Sequence, residues 1–187
     1  ITLTVVEPTM NGIGGDGFAL VWDGKKLHGL NASGRAPAAW TPEYFAGKAA
    51  MDLIGWKTVT VPGVVAGWIE LSRKFGKLPF AQLFKRAIDY AENGFPANTG
   101  FVRRIAGHLA TAPDTQVFKN MGINVDVKVG DLVVQKDLAR SLREIARDGR
   151  AAFYEGRIAQ QLIKGSDGWF NEQDLKAHTT RVLAPLS

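Results

Sequence analysis

The chain has 187 residues, 45% of them hydrophobic and 22% charged, with a formal net charge of +5 and no cysteine. These proportions fit a soluble globular chain with a sizeable core. They exclude a disulfide framework, a thiolate nucleophile and a cysteine-ligated metal. No apolar run approaches the roughly 20 residues that span a bilayer, so no membrane span is expected. The basic stretches "RKFGK", "FKR" and "VRR" are interrupted and sit among apolar residues at helical spacing. They read as solvated faces and not as a nucleic-acid patch, with a mild attraction for anionic substrates left open.

In chain order, "LTVVEP" is rich in β-branched residues, which favour a strand. The next stretch, "NGIGGDGF", places Gly12, Gly14 and Gly17 in the spacing G-x-G-x-x-G. A dinucleotide loop needs a strand before it and a helix after it, because the helix N-terminus holds the pyrophosphate. Here "FALVWDGKKLHGL" follows, with Phe18, Leu20 and Trp22 alternating and a turn at Asp23-Gly24. That pattern predicts a β-hairpin, so the glycines lead into a strand. They serve turn geometry and close packing, or they bare the backbone to a ligand.

From Pro62 the chain becomes helical. "PGVVAGWIELSRKFGK" predicts a buried stripe of Val65, Trp68, Ile69 and Leu71, ending at Gly76. "PFAQLFKRAIDYAENGF" places Leu83, Phe84, Ala87, Ile88 and Ala91 on one face and ends at Asn93-Gly94. Further helices are expected over 98–111, over 136–148, in "EGRIAQQLIKG" and in "NEQDLKAH", which opens on an asparagine suited to an N-cap. "FKNMGINVDVKVGDLVVQ" reads as a loop with some strand character. Two good strands and many helices give a helix-rich α+β chain. A lone hairpin is marginal in water, so the rest of its sheet is expected from sequence outside these residues. The chain also opens without an initiator methionine. We therefore expect residues 1–187 to be one partial domain, a fragment or subunit of a larger protein, with no separate second domain.

The residues offer little conventional chemistry. His28, His108 and His178 form no H-x-x-x-H spacing, so no zinc site is expected, and each reads as a surface or satisfied structural histidine. Ser33, Ser72, Ser141, Ser166 and Ser187 lack the G-x-S-x-G context of a nucleophile elbow. The threonines of "HTT", 178–180, lack a placed base. Asp16 either serves a site or caps local N–H groups. Arg35, in "NASGRAP" at the end of the second strand, can grip a carboxylate through two parallel hydrogen bonds or form a salt bridge to a buried acid. The sequence leaves both open. No cofactor is expected.

Several blocks together resemble the large subunit of γ-glutamyltransferases (γ-glutamyltranspeptidases). They are "VVEPTMNGIGGDGFALVWDGKKLHGLNASGRAP", "VTVPGVVAGWIELSRKFGKLPFAQLFKRAIDYAENGFP", "AFYEGRIAQQLI" and "FNEQDLKAH" leading to "LAPLS". The resemblance implies part of an αββα N-terminal-nucleophile hydrolase sandwich, cut from a precursor. The partner is then a small catalytic subunit, or the rest of the precursor, whose N-terminal threonine attacks the γ-glutamyl amide. No catalytic residue falls in this chain. The resemblance also makes "LTVVEP" the tail of a buried helix, which is the reading adopted here, and sets the glycine loop beside the active-site cleft. It implies Arg35, Ser33, Asn31 and the Gly14-Gly15 backbone as substrate contacts. One departure stands out. Family members carry the arginine for the substrate's α-carboxylate within D-F-R-E-x-A-P, and Ser33 occupies that position here. Arg35 lies two residues later. Acylases of the same superfamily, acting on glutaryl or cephalosporin-like amides, are therefore an alternative, as is a non-catalytic relic or binding module. The resemblance is compatible with a cytoplasmic or an exported protein.

Overall fold

The computed structural model describes residues 1–52, 54–111 and 115–184. Ser187 and the last three residues of "LAPLS" lie outside them. The helices are α1 (Leu3–Val6), α2 (Pro42–Phe45), α3 (Val64–Phe75), α4 (Lys85–Asn93), α5 (Thr99–Thr111), α6 (Gln116–Asn120), α7 (Lys136–Asp148), α8 (Arg150–Tyr154), α9 (Arg157–Gly165) and α10 (Glu172–Lys176). The strands are β1 (Gly17–Trp22), β2 (Leu27–Ala32), β3 (Phe95–Pro96), β4 (Leu132–Val133) and β5 (Arg181–Leu183). The chain is helix-rich α+β, as the pattern predicts. Its residues fall into two compact units, Ile13–Lys77 with Asp148–Ser187, and Ile1–Gly12 with Leu78–Arg147.

The first of these units holds the hairpin. β1 and β2 pair antiparallel, from Gly17 opposite Ala32 to Trp22 opposite Leu27. Asp23 closes the turn by accepting from the backbone N–H groups of Lys25 and Lys26, each at 2.8 Å. Its other carboxylate oxygen meets His28 Nε2 at 2.7 Å. That bond and the two backbone donors hold the Asp23 carboxyl below the usual carboxylate range. Gly24, at φ 96°, supplies the left-handed conformation the turn requires. β5 then pairs antiparallel with β2, with Gly29 opposite Leu183 and Asn31 opposite Arg181. The chain thus supplies a third strand that the sequence reading missed, because "RVL" is too short to carry a periodic signal.

One face of this sheet is covered by α3. The approach is close because Gly67 faces Ala32: a Cβ on Gly67 would stand 2.6 Å from Ala32 Cβ and 3.6 Å from Leu30 Cδ2. The predicted α3 stripe is corrected accordingly. Val64, Val65, Ala66 and Gly67 are the buried residues, while Trp68, Ile69 and Leu71 are half-buried. The first turn meets the sheet, so burial follows that contact and not the helical period alone. By the period-two alternation of a strand, Phe18, Leu20 and Trp22 point to the opposite face, where they are 70%, 71% and 63% exposed. Phe153, Tyr154, Ile158 and Ala159 of α8 and α9, with Leu175 of α10, complete this unit's core. α10 opens on a capping box between Asn171 and Asp174, in agreement with the predicted N-cap.

The second unit is mainly helical. Residues 3–6 form α1, the helix tail adopted from the family resemblance and not the strand that their β-branched residues favour: Val5 is fully buried, α1 packs on α4, and the Val5 carbonyl accepts from the buried Gln135 amide at 2.8 Å. Tertiary burial here outweighs β-branched propensity. Phe84, Ala87 and Ala91 are buried as the stripe predicts, but Leu83 is 37% exposed, because residues 80–84 wind as a 3₁₀ turn before α4. α5 and α7 contribute Phe101, Ile105, Leu142 and Ile145 to the core. The segment read as a loop with strand character contains α6 and the strand β4, whose Val133 pairs with Phe95.

Gly67→Ala sets two effects against each other. Alanine favours the helix by about 0.5–1 kcal/mol, but overpacking against a rigid neighbour costs about 1–3 kcal/mol. Because the nearest atom is a β-carbon on a strand, overpacking is expected to dominate. Thermal unfolding of the complete polypeptide should show a lowered midpoint; an unchanged or raised one contradicts the close approach.

Candidate functional site

The glycine loop is built around the start of α3. Gly63, the residue before that helix, has no side chain to cap it, so the first-turn N–H groups need other acceptors. The Gly15 carbonyl accepts from Gly63 N and Val64 N, each at 3.0 Å. The Tyr154 hydroxyl accepts from Ala66 N at 3.3 Å and donates to the Pro62 carbonyl at 2.7 Å. The positive end of the helix therefore meets two oxygens of the chain itself. This is how the G-x-G-x-x-G spacing is used: a backbone carbonyl stands where a nucleotide loop would present a phosphate.

A second loop leaves β2 and runs beside the first. Asp16 Oδ1 accepts from Gly34 N at 2.8 Å, which ties the two loops together. Asn31 Oδ1 accepts from both the N–H and the hydroxyl of Ser33, at 2.8 and 2.7 Å. The Arg35 carbonyl accepts from Val61 N at 3.0 Å. Further along, Ala38 N donates to Asp174 Oδ1 at 2.9 Å, which pins the loop to α10. All five predicted contacts thus lie on two bonded loops, Gly14 and Gly15 on one, Asn31, Ser33 and Arg35 on the other. Their states differ. Gly15's carbonyl and Ser33's hydroxyl are engaged locally, while Gly14 is exposed with open space around it. Arg35 is exposed, and among the described residues no carboxylate lies within ion-pair distance of it. Among the described residues it forms no salt bridge to a buried acid. Asp16 acts as the local cap that its position in a glycine loop suggests.

A third group was not singled out by sequence reasoning. Arg150 and Tyr154 stand four residues apart on α8. The Arg150 guanidinium lies 4.5 Å from the Tyr154 ring centroid and donates to the carbonyls of Lys176 and His178, each at 2.8 Å. Cations at a helix C-terminus satisfy its open carbonyls. His178 follows α10 instead of lying on a helix, and its ring stacks on Tyr154 at 5.4 Å and 17°. Burial pushes the Tyr154 phenol up to about 12. Burial, with Arg150 and Arg35 adding to it, holds His178 below the ordinary imidazole range, and Asp16 opposes them. The signal in the sequence was the i,i+4 pair of Arg150 and Tyr154, but nothing in spacing tells which helix ends that pair serves. His28, by contrast, is the paired histidine expected, held by Asp23. His108 packs edge-on against Phe118.

The exposed sheet face carries a cavity of about 390 Å³, lined in part by Phe18, Leu20, Gly29, Asn31 and Leu183. Asn31 is therefore the predicted residue that reaches this face. Among the described residues no group of three His, Asp or Glu is placed to hold a metal, and no helix is long and apolar enough to cross a membrane.

Comparison with known proteins agrees over the whole chain. Residues 1–187 match the family described as Gamma-glutamyltranspeptidase. The glutathione hydrolase-like YwrD proenzyme of Bacillus subtilis (strain 168) is 37% identical over 195 residues, covering 99% of this chain and 37% of that relative. Among solved structures, the gamma-glutamyltranspeptidase from Pseudomonas nitroreducens complexed with L-DON superposes with a TM-score of 0.89 at 30% identity, covering 98% of this chain and 57% of that one. The cephalosporin acylase from Bacillus halodurans gives 0.88 at 35% identity, covering 99% and 37%. The chain spans about a third of the length of the curated relatives it matches, 37% and 33% for two of them.

Tyr154→Phe removes one hydroxyl that serves two backbone groups at the start of α3. Leaving buried polar groups unmatched costs about 1–3 kcal/mol. A lowered denaturation midpoint, with the denaturant dependence unchanged, is the expected outcome; a midpoint equal to the parent's removes the hydroxyl from this role.

Proposed function

The chain belongs to the gamma-glutamyltranspeptidase family, and we propose that it is the large-chain portion of an enzyme that hydrolyses or transfers γ-glutamyl amides. The nucleophile is then a threonine supplied by a companion small subunit or by the rest of a precursor. Its hydroxyl oxygen attacks the γ-carbonyl carbon, the amide C–N bond breaks, and the amine leaves with a proton. Water or an amine next attacks the ester and restores the hydroxyl. Residues 1–187 act as one partial domain of that enzyme.

The observation that carries this reading is the one-sided sheet. α3 covers one face, while Phe18, Leu20 and Trp22 lie exposed on the other. Three large apolar side chains on one strand mark a surface that is covered in the assembled protein. A layer of helix on sheet, open on the far side, is half of an αββα sandwich, and a second sheet from the companion fits it. Leu20→Asp in the complete polypeptide is expected to abolish assembly of the two parts. Native and denaturing electrophoresis measure this; normal assembly removes the interface from that face.

Arg35 gives the donor specificity. Its guanidinium is exposed and carries no ion pair among the described residues, on a loop tied to the glycine loop. In this reading it grips the substrate's α-carboxylate in place of Ser33, and the engagement of the Ser33 hydroxyl by Asn31 supports that exchange. Charge-assisted hydrogen bonds contribute about 1.5–3 kcal/mol. Arg35→Ala is therefore expected to raise KM for γ-glutamyl anilide about tenfold or more, and to leave a neutral acyl anilide nearly unaffected. A uniform effect on both substrates discards the role.

A second reading, an acylase of the same superfamily, is favoured by the shifted arginine and by the likeness to the cephalosporin acylase. Rates on γ-glutamyl and glutaryl anilides separate the two, because only the first carries an α-amine. Preference for the glutaryl compound selects the acylase.

A further inference from the structure

β5 poses a packing problem. Its three side chains are all exposed, Val182 at 40% and Leu183 at 49%. The strand pairs with β2 through only three residues. Apolar burial by its own side chains therefore does little to hold it in place. Among the described residues after Leu175, His178 is the one buried side chain, at 1% exposure. Its ring lies flat on Tyr154, and its carbonyl accepts from Arg150. It is the anchor that sets where the chain turns from α10 toward β5.

We propose that His178 is a positioning residue for β5 that holds the strand only as a neutral imidazole, releasing it when the ring is protonated. Both ring nitrogens are buried, and among the described residues neither has a hydrogen-bond partner. A phenyl ring would fill such a site with no unmatched polar atom, so the imidazole costs stability that packing alone does not require. The groups that face it are cationic on balance. Arg150 stands on α8 above Tyr154, and Arg35 approaches from the β2 exit loop; Asp16, on the glycine loop, is the single carboxylate opposing them. Tyr154, itself protonated up to about 12, offers a neutral ring. Lys176 meets the same cluster through its carbonyl, held by Arg150. A proton on His178 adds a desolvated charge that Arg150 and Arg35 both disfavour, and among the described residues neither nitrogen has an acceptor.

The sign follows. The folded-state imidazole titrates below its unfolded value, so the unfolded or released segment binds the proton more readily. The anchor is at full strength above the ordinary imidazole range near 6.5 and weakens as pH falls through the lower, folded value. This goes beyond the assignment of a reaction and holds whichever amide is cleaved.

The test is amide hydrogen exchange in the complete polypeptide, read as protection of residues 181–183 after correction for intrinsic rates. Measurements at neutral pH and about one unit below the ordinary imidazole value are compared. In the parent, β5 protection is expected to fall several-fold on acidification, while the β1–β2 pairs keep theirs. His178→Phe, which keeps the ring and cannot titrate, is expected to protect β5 equally at both pH values. Should that variant fail to fold, His178→Gln serves, with weaker protection that is independent of pH. An acid loss of the same size in either variant, or no loss in the parent, overturns the proposal.

Discussion

The close contact of α3 with β2 is the constraint on which the rest of the site depends. Two small residues, Gly67 and Ala32, let the helix lie against the strand. The helix N-terminus is thereby brought to the glycine loop, where Gly15 supplies the acceptor that Gly63 cannot. A larger residue at either position would move the helix away, and with it the N–H groups that fix residues 13–16. The loop geometry is thus a consequence of packing, and its glycines are read correctly only when the helix is in view.

From that contact the site spreads by hydrogen bonds from one element to the next. Asp16 carries the glycine loop to Gly34 and hence to the Arg35 loop. Asp174 carries the same loop to α10. Tyr154 and Arg150, one turn apart on α8, connect the start of α3 to the end of α10. Each link joins a side chain to a backbone group, and the Tyr154 bond is the buried one. Such bonds are modest individually, about 1 kcal/mol each, and expensive to leave unmade. They give the arginine loop a defined place, while among the described residues no carboxylate pairs with the Arg35 guanidinium. An unpaired cation on a fixed loop is what recognition of an anionic group requires, since little order remains to be imposed on binding.

The sheet shows the other side of the same economy. One face is closed by α3, and the other keeps large apolar side chains in the open. In a chain that spans about a third of its relatives' length, this asymmetry is a physical reason to look for the missing layer. Over nearly its whole length the chain is similar both to a gamma-glutamyltranspeptidase and to a cephalosporin acylase.

The sequence by itself determined the hairpin, the helices α3, α4, α5, α7, α9 and α10, the ends of α3 and α4 and the cap of α10. Each depends on neighbours in the chain: alternation, a D-G turn, a terminal glycine, an asparagine three positions before the N–H it caps. The family was also legible, because its motifs are continuous stretches. Only the tertiary structure decided the rest. It placed β5 on β2, decided α1 between the strand its β-branched residues favour and the helix tail its family resemblance implies, moved the buried part of α3 to its first turn, and buried His178 beside Tyr154 and Arg150. All four depend on contacts between residues far apart in the chain, and periodicity carries no information about which distant surface a side chain will meet.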